Sequence, residues 1–171
     1  RDHDASGQRR WMLGQRLRDA ARAAGQALWV ADRVDLALLL QADALHLGEG
    51  SVSANVARRL VGDGVGVSRA WHAATLDDVA AESELGDVDA LLVSPVLAAR
   101  KGRPALGLGV LGWLGEQLRA RNRACHLYAL GGVSAENAAA CRAAGALGVA
   151  AIGAALVPAP EALLSALEIL R

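Results

Sequence analysis

The sequence predicts an α/β chain of parallel strands, a (β/α)8 TIM barrel, and three observations lead there. Two glycine turns stand in succession near the C-terminus, Tyr128-Ala129-Leu130-Gly131-Gly132-Val133-Ser134 and then Gly148-Val149-Ala150-Ala151-Ile152-Gly153-Ala154. Each reads as a strand that meets glycine and then opens a helix. The strand halves are apolar without alternation, which suits a parallel strand covered on both faces. Short apolar runs also alternate with helical patterns along the whole chain, the signature of successive βα units. In such a barrel the loops after strands 7 and 8 form an anion cup, where glycine lets backbone N–H groups approach a phosphate at a helix N-terminus.

The elements follow in order. Trp11, Leu13, Leu17, Ala20 and Ala24 keep close to a helical period, with arginines between them, in a helix ending near Gly25. Ala27-Leu28-Trp29-Val30 is a strand that delivers Asp32 to its C-terminal end, and a short helix runs through Leu36, Leu39 and Leu40. Ala44-Leu45-His46-Leu47-Gly48 is a strand closed by glycine, followed by a crossover helix over 51–60. Val65-Gly66-Val67-Ser68 is the next strand, 76–81 a helix, and 89–95 another strand. The stretch 97–109 breaks the rhythm, since Ala98-Ala99-Arg100-Lys101-Gly102-Arg103-Pro104 is basic and punctuated by glycine and proline. It is expected to be a mobile loop over the barrel mouth. A helix over 110–121, a strand over 125–130, a helix from Ser134 as N-cap to Gly145 as C-cap, a strand over 148–152 and a helix over 160–170 complete six strands.

Composition sets the limits. The 171 residues read as one domain, 1–171, yet fall short of the roughly 200–250 that a whole barrel takes. The 18 basic and 18 acidic residues balance, which gives no electrostatic case for nucleic acid or an anionic membrane. Although 53% of residues are hydrophobic, no run approaches the roughly 18 apolar positions of a membrane span. The charged start Arg1-Asp2-His3-Asp4 lacks a signal-peptide pattern, so the expected location is cytoplasmic. Cys125, on a predicted buried strand, and Cys141, in a helix, read as small core residues of a reducing compartment.

Six stretches stand at or near strand ends: Arg1-Asp2-His3-Asp4, Ala31-Asp32-Arg33-Val34-Asp35-Leu36-Ala37, Ala44-Leu45-His46-Leu47-Gly48, Gly66-Val67-Ser68, Ser94-Pro95-Val96, and Ala129-Leu130-Gly131-Gly132-Val133 with Glu136-Asn137. Together they resemble the thiamine phosphate synthase and thiazole tautomerase family. Their order and spacing agree from Arg1 to about Leu156. The alignment puts Arg1 at the end of the second barrel strand. The expectation is therefore a chain lacking the first βα unit and most of strand 2, with two unpaired edges unless something else closes the gap.

The resemblance implies a phosphorylated small molecule as partner, a thiazole phosphate or thiamine phosphate, and a homo-oligomer is possible. In the synthase a pyrimidine diphosphate loses pyrophosphate with the help of Mg²⁺, and a thiazole nitrogen captures the cation. Arg1 matches a diphosphate contact, Asp32 a metal carboxylate, and Lys101 the lysine of the mobile loop. The second metal aspartate falls at Ser51, an asparagine at Ala31, a lysine at His3, and the loop threonines at Ala98-Ala99-Arg100. One carboxylate in place of two weakens a Mg²⁺ site. The tautomerase needs no metal, but its histidine falls at Pro95, leaving His3 or His72 as stand-in proton carriers.

The candidate site is thus Arg1, His3, Ser68 and Lys101 for chemistry, Asp32 for metal, and Gly131, Gly132, Ile152 and Gly153 for the phosphate. Each has a plainer reading. The glycines serve tight turns, Asp32 and Ser68 cap the helices that follow, and Arg100, Lys101 and Arg103 form a solvated loop. His46 and His126 read as structural, and Trp29 and Trp113 as packing residues. The function expected is a tautomerase-like or divergent member of the family. The alternatives are a catalytically inactive phosphate-ligand domain and a phosphate-binding barrel enzyme outside thiamine metabolism.

Overall fold

Strands form where apolar residues run together and can be covered on both faces. In the computed structural model, which describes residues 5–72, 88–121, 123–153 and Ser165, six such runs are strands. The chain divides into two compact units, Arg1–Arg69 with Ala81–Asp89, and Ala70–Ala80 with Ala90–Arg171. The expected helices over 76–81 and 160–170 lie outside the described residues.

The first unit contains α1 (Gly7–Ala23), β1 (Trp29–Ala31), α2 (Val34–Leu39), β2 (Ala44–Leu47), α3 (Ala54–Val61) and the start of β3 (Gly66–Trp71). β1 pairs with β2 and β2 with β3, both parallel, with Ala31 opposite His46 and His46 opposite Ser68. The core is aliphatic. Leu45, Leu47 and Val67 are almost wholly buried, and burying each such side chain favours folding by about 1.5–3 kcal/mol. α3 adds Ala54, Ala57 and Val61 at i, i+3 and i+7, one stripe of a helix.

The second unit contains the end of β3, then β4 (Ala90–Val93), α4 (Gly109–Ala120), β5 (His126–Leu130), α5 (Ala138–Ala143) and β6 (Gly148–Ala150). β4–β5 and β5–β6 are parallel pairs, with Val93 opposite Ala129 and Leu130 opposite Ala150. α4 buries Val110, Leu111, Leu114 and Leu118, and α5 buries Ala138 and Cys141.

An Asp-Ala-Leu triplet introduces two of the strands. Before β2, Asp43 accepts the Leu28 N–H at 2.7 Å, and its own N–H donates to the Leu28 carbonyl. Before β4, Asp89 accepts the Val67 N–H at 2.7 Å and an Arg58 N–H, while its own N–H donates to the Val67 carbonyl. Each carboxylate supplies an acceptor where the ladder begins, because a backbone N–H must find a partner.

Several expectations are corrected. α1 forms as predicted, but its apolar stripe is not buried. Met12, Leu13 and Leu17 are exposed, and a Cβ on Gly14 would come within 2.5 Å of the Leu40 side chain. α3 starts at Ala54 rather than 51, capped by Ser53, whose hydroxyl accepts the Val56 N–H. β3 does not end at Ser68 but runs on to Trp71. It carries Arg69 inward, with a guanidinium N–H directed at the Val52 carbonyl. α5 starts at Ala138, not after Ser134. β6 ends at Ala150, short of 152. Cys125 precedes β5 and is half-buried, whereas Cys141 is fully buried.

Candidate functional site

The expected site residues that the structure describes fall into two groups, one in each unit, mostly where strands hand over to loops, with Ser68 inside β3. Arg1 and His3 lie outside the described residues.

In the first unit, β1 delivers Asp32 to its C-terminal end at φ 62°, a left-handed conformation that aspartate tolerates better than most residues. Its Oδ1 accepts the Ser51 hydroxyl, and also the Gly48 N–H at 3.1 Å. Gly48 N–H is shared with the Ser51 Oγ at 2.8 Å. The plainer reading of Asp32 as a helix cap does not hold, because α2 has Arg33 at its N-cap and no side-chain cap bond. Arg33 instead pairs with Asp35 in the first turn, and this hydrogen bond holds the Asp35 carboxyl below its ordinary range. Ser51 is turned to Asp32, which explains why Ser53 caps α3. Deeper in the strands, His46 Nδ1 stands 3.0 Å from the Ser68 Oγ, so His46 is an interior histidine with a partner. Ser68 is fully buried in the middle of β3.

Mg²⁺ takes oxygen ligands at near-octahedral geometry, commonly one or two carboxylates plus substrate phosphates. Among the described residues Asp32 supplies the carboxylate here, and its Oδ1 accepts from a hydroxyl and an amide. Among the described residues no group of three or more His, Cys, Asp or Glu side chains could hold a metal. The donor set is a hydrogen-bonded Asp-Ser pair, which does not fit the ion well.

In the second unit, Gly131 and Gly132 follow β5 at φ 95° and 77°. A Cβ on Gly131 would stand 2.9 Å from the Pro95 Cα, and one on Gly132 2.7 Å from the Ala98 Cβ. The glycines therefore let the 95–98 strap lie directly on the turn. Val96 N–H donates to the Leu130 carbonyl and Leu97 N–H to the Gly131 carbonyl, both at 2.9 Å. Asn137 holds the turn from the other side, accepting the Ser134 N–H at 2.8 Å and donating to the Gly132 carbonyl at 3.0 Å. The sequence signal for this positioning residue was its place in the Glu136-Asn137 match. Since β6 pairs parallel with β5, residues 151–153 leave the sheet beside Gly131 and Gly132. Gly132, Ile152 and Gly153 are exposed, and a Cβ on Gly153 would meet nothing within 4 Å.

Two further features share this end of the second unit. Past β3, His72 Nδ1 lies 2.7 Å from the Ser94 carbonyl and 3.2 Å from its hydroxyl. A carbonyl only accepts, so Nδ1 carries a proton in this contact. The basic loop is a hairpin. Arg100 and Arg103 exchange two backbone hydrogen bonds at 3.0 Å, and Lys101 and Gly102 sit at the tip with φ 51° and 76°, as a type I′ turn requires. Lys101 is exposed there.

Comparisons with known proteins show the family and the fold. A family model described as thiamine monophosphate synthase matches residues 1–155. The thiamine-phosphate synthase of Parasynechococcus marenigrum is 39% identical over 132 residues, 76% of this chain and 36% of that protein. The one from Moorella thermoacetica is 38% identical over 147 residues, 83% of this chain and 65% of that protein. The chain thus spans between about a third and two thirds of these relatives. A solved thiamine phosphate pyrophosphorylase from Pyrococcus furiosus superposes with a TM-score of 0.81 at 24% identity, covering 98% of this chain and 80% of that one. The two share a fold. No helix among the described residues is long and apolar enough to cross a membrane.

Proposed function

The chain belongs to the thiamine monophosphate synthase family, and from that premise we propose that it binds a phosphorylated thiazole at the C-terminal ends of β5 and β6. The observation that carries this is the pair of turns leaving adjacent parallel strands, Gly131-Gly132 and Ile152-Gly153. Their backbone N–H groups are the donors proposed for the phosphate. The strands belong to a (β/α)8 barrel, and Lys101 on its hairpin supplies a mobile cation to the ligand. Gly153 offers a clean test, since its position has room for a side chain. Gly153→Asp puts a negative charge in the cup without a clash, and should weaken thiazole phosphate binding at least about tenfold, a change of about 1.4 kcal/mol. Unchanged affinity in a titration would move the phosphate elsewhere.

The Asp32–Ser51 pair favours a divergent, tautomerase-like member over a Mg²⁺-assisted synthase. A tautomerisation moves a proton and needs no leaving group to be neutralised. His72, with its Nδ1 proton held by Ser94, is the residue proposed to carry the proton. Proton NMR of a thiazole carboxylate phosphate would follow the isomerisation. Turnover that falls about 10²-fold or more in His72→Gln supports this assignment. Turnover unaffected by the substitution removes His72 from the chemistry. Binding without any turnover identifies an inactive ligand-binding domain.

A further inference from the structure

α1 is a helix of 17 residues with no buried side chain. A helix of that length is marginal in water on its own, and in proteins the packing of an apolar face supplies most of its stability. On one side Gly14 rests against the Leu40 side chain, and an Arg22 N–H donates to Gln41 Oε1 at 2.9 Å. The apolar residues lie elsewhere. Leu13, Leu17, Ala20 and Ala24 follow the spacing i, i+4, i+7 and i+11, which draws one stripe about a quarter turn round the helix from Gly14. All four are exposed.

Steps of four and then three residues are the pattern that seats one helix against another. Here the two halves of the stripe differ. The N-terminal half carries leucines, with Arg9 and Arg16 along one flank, whereas the C-terminal half carries alanines and runs into the negative end of the helix dipole. Such a stripe complements itself when reversed. In an antiparallel pair, Leu13 and Leu17 stand opposite Ala24 and Ala20 of a second copy, so each leucine fills the space that an alanine leaves. Arg16 then comes beside the last turn of the other helix, where a cation is favoured. A parallel copy would set leucine on leucine, leave a gap between the alanines and bring Arg9 and Arg16 level with their own copies.

We propose that α1 is the interface of a homodimer, in which two copies pack α1 antiparallel with Leu13 and Leu17 of each on Ala24 and Ala20 of the other. Size and charge both select this occupant and this direction. α1 belongs to the first unit and the glycine turns to the second, so the interface stands whether or not the thiazole site does.

Sedimentation equilibrium of the full chain tests the association, with a mass expected to rise with concentration from one chain towards two. Leu13→Gln/Leu17→Gln removes the apolar surface while keeping good helix formers, and should raise the dissociation constant at least about tenfold. Both leucines are exposed in the single chain, so the far-UV circular dichroism should not change. Direction is read by disulfide trapping in a Cys125→Ser background, Cys141 being fully buried. An equimolar mixture of Leu13→Cys and Ala24→Cys chains should give a linked dimer, and neither chain should do so by itself. A wild-type chain that stays single at every concentration leaves the stripe to another occupant and overturns the proposal. So does a dimer that the double glutamine substitution leaves intact, or a link between two Leu13→Cys chains, the mark of parallel helices.

Discussion

Among single residues, glycines of similar appearance in the sequence have different duties. At Gly132 the backbone is left-handed and the strap at Ala98 occupies the space a side chain needs, whereas Gly153 faces open space. Gly132→Ala should therefore destabilise the fold by about 2–5 kcal/mol, the sum of a left-handed penalty and overpacking. Gly153→Ala should stay within about 0.5 kcal/mol, as surface changes do. Denaturant midpoints of the two variants check this, and equal shifts would contradict it. The glycine pair was legible as a turn because the motif sits at a strand end. Its contact with Pro95 and Ala98 was not, since those residues are distant in sequence. Ser68, expected at a strand end, lies inside β3, which continues through Arg69 to Trp71. The charge stays in the strand because its long side chain reaches the Val52 carbonyl. Asp32 and Ser51 were flagged separately by the resemblance, and only their hydrogen bond shows that they act together.

Elements were more legible than their ends. All six strands begin in the apolar runs that predicted them, although β3 runs on past its run to Trp71, because parallel strands covered on both faces leave an apolar record. Helix starts depend on which polar side chain turns to the backbone, and sequence gives several candidates. Ser51 turns away to Asp32, and α3 begins at Ala54, capped by Ser53, three residues after the expected start. Asn137 turns back to Ser134 and Gly132, delaying α5. At the start of α2, Asp35 benefits from Arg33 and from the helix dipole. Its native pKa is depressed, so its contribution is present above the unfolded value near 4 and lost as pH falls through the lower folded value. The pair is solvent-exposed and screened, so Asp35→Asn should cost no more than about 0.5 kcal/mol at neutral pH. Stability curves of both proteins should converge in acid and at high salt. A cost that persists below the folded pKa would show that the carboxylate charge is not its source.

On the scale of the whole chain, family and fold were legible from ordered matches at strand ends, while the chemistry was not. Function here depends on a few atoms at the ends of strands, and the same parallel scaffold carries different reactions. The family assignment is secure, and the central claim is narrower: a phosphorylated thiazole binds at the glycine turns without needing Mg²⁺. The most direct measurement is a calorimetric titration with thiazole phosphate, with Mg²⁺ and with a chelator, on the wild-type protein and on Ser51→Asp. The account predicts equal wild-type affinity in both conditions, and a Mg²⁺ response only after the second carboxylate is added beside Asp32. Wild-type binding that needs Mg²⁺, or no binding in either condition, would contradict it.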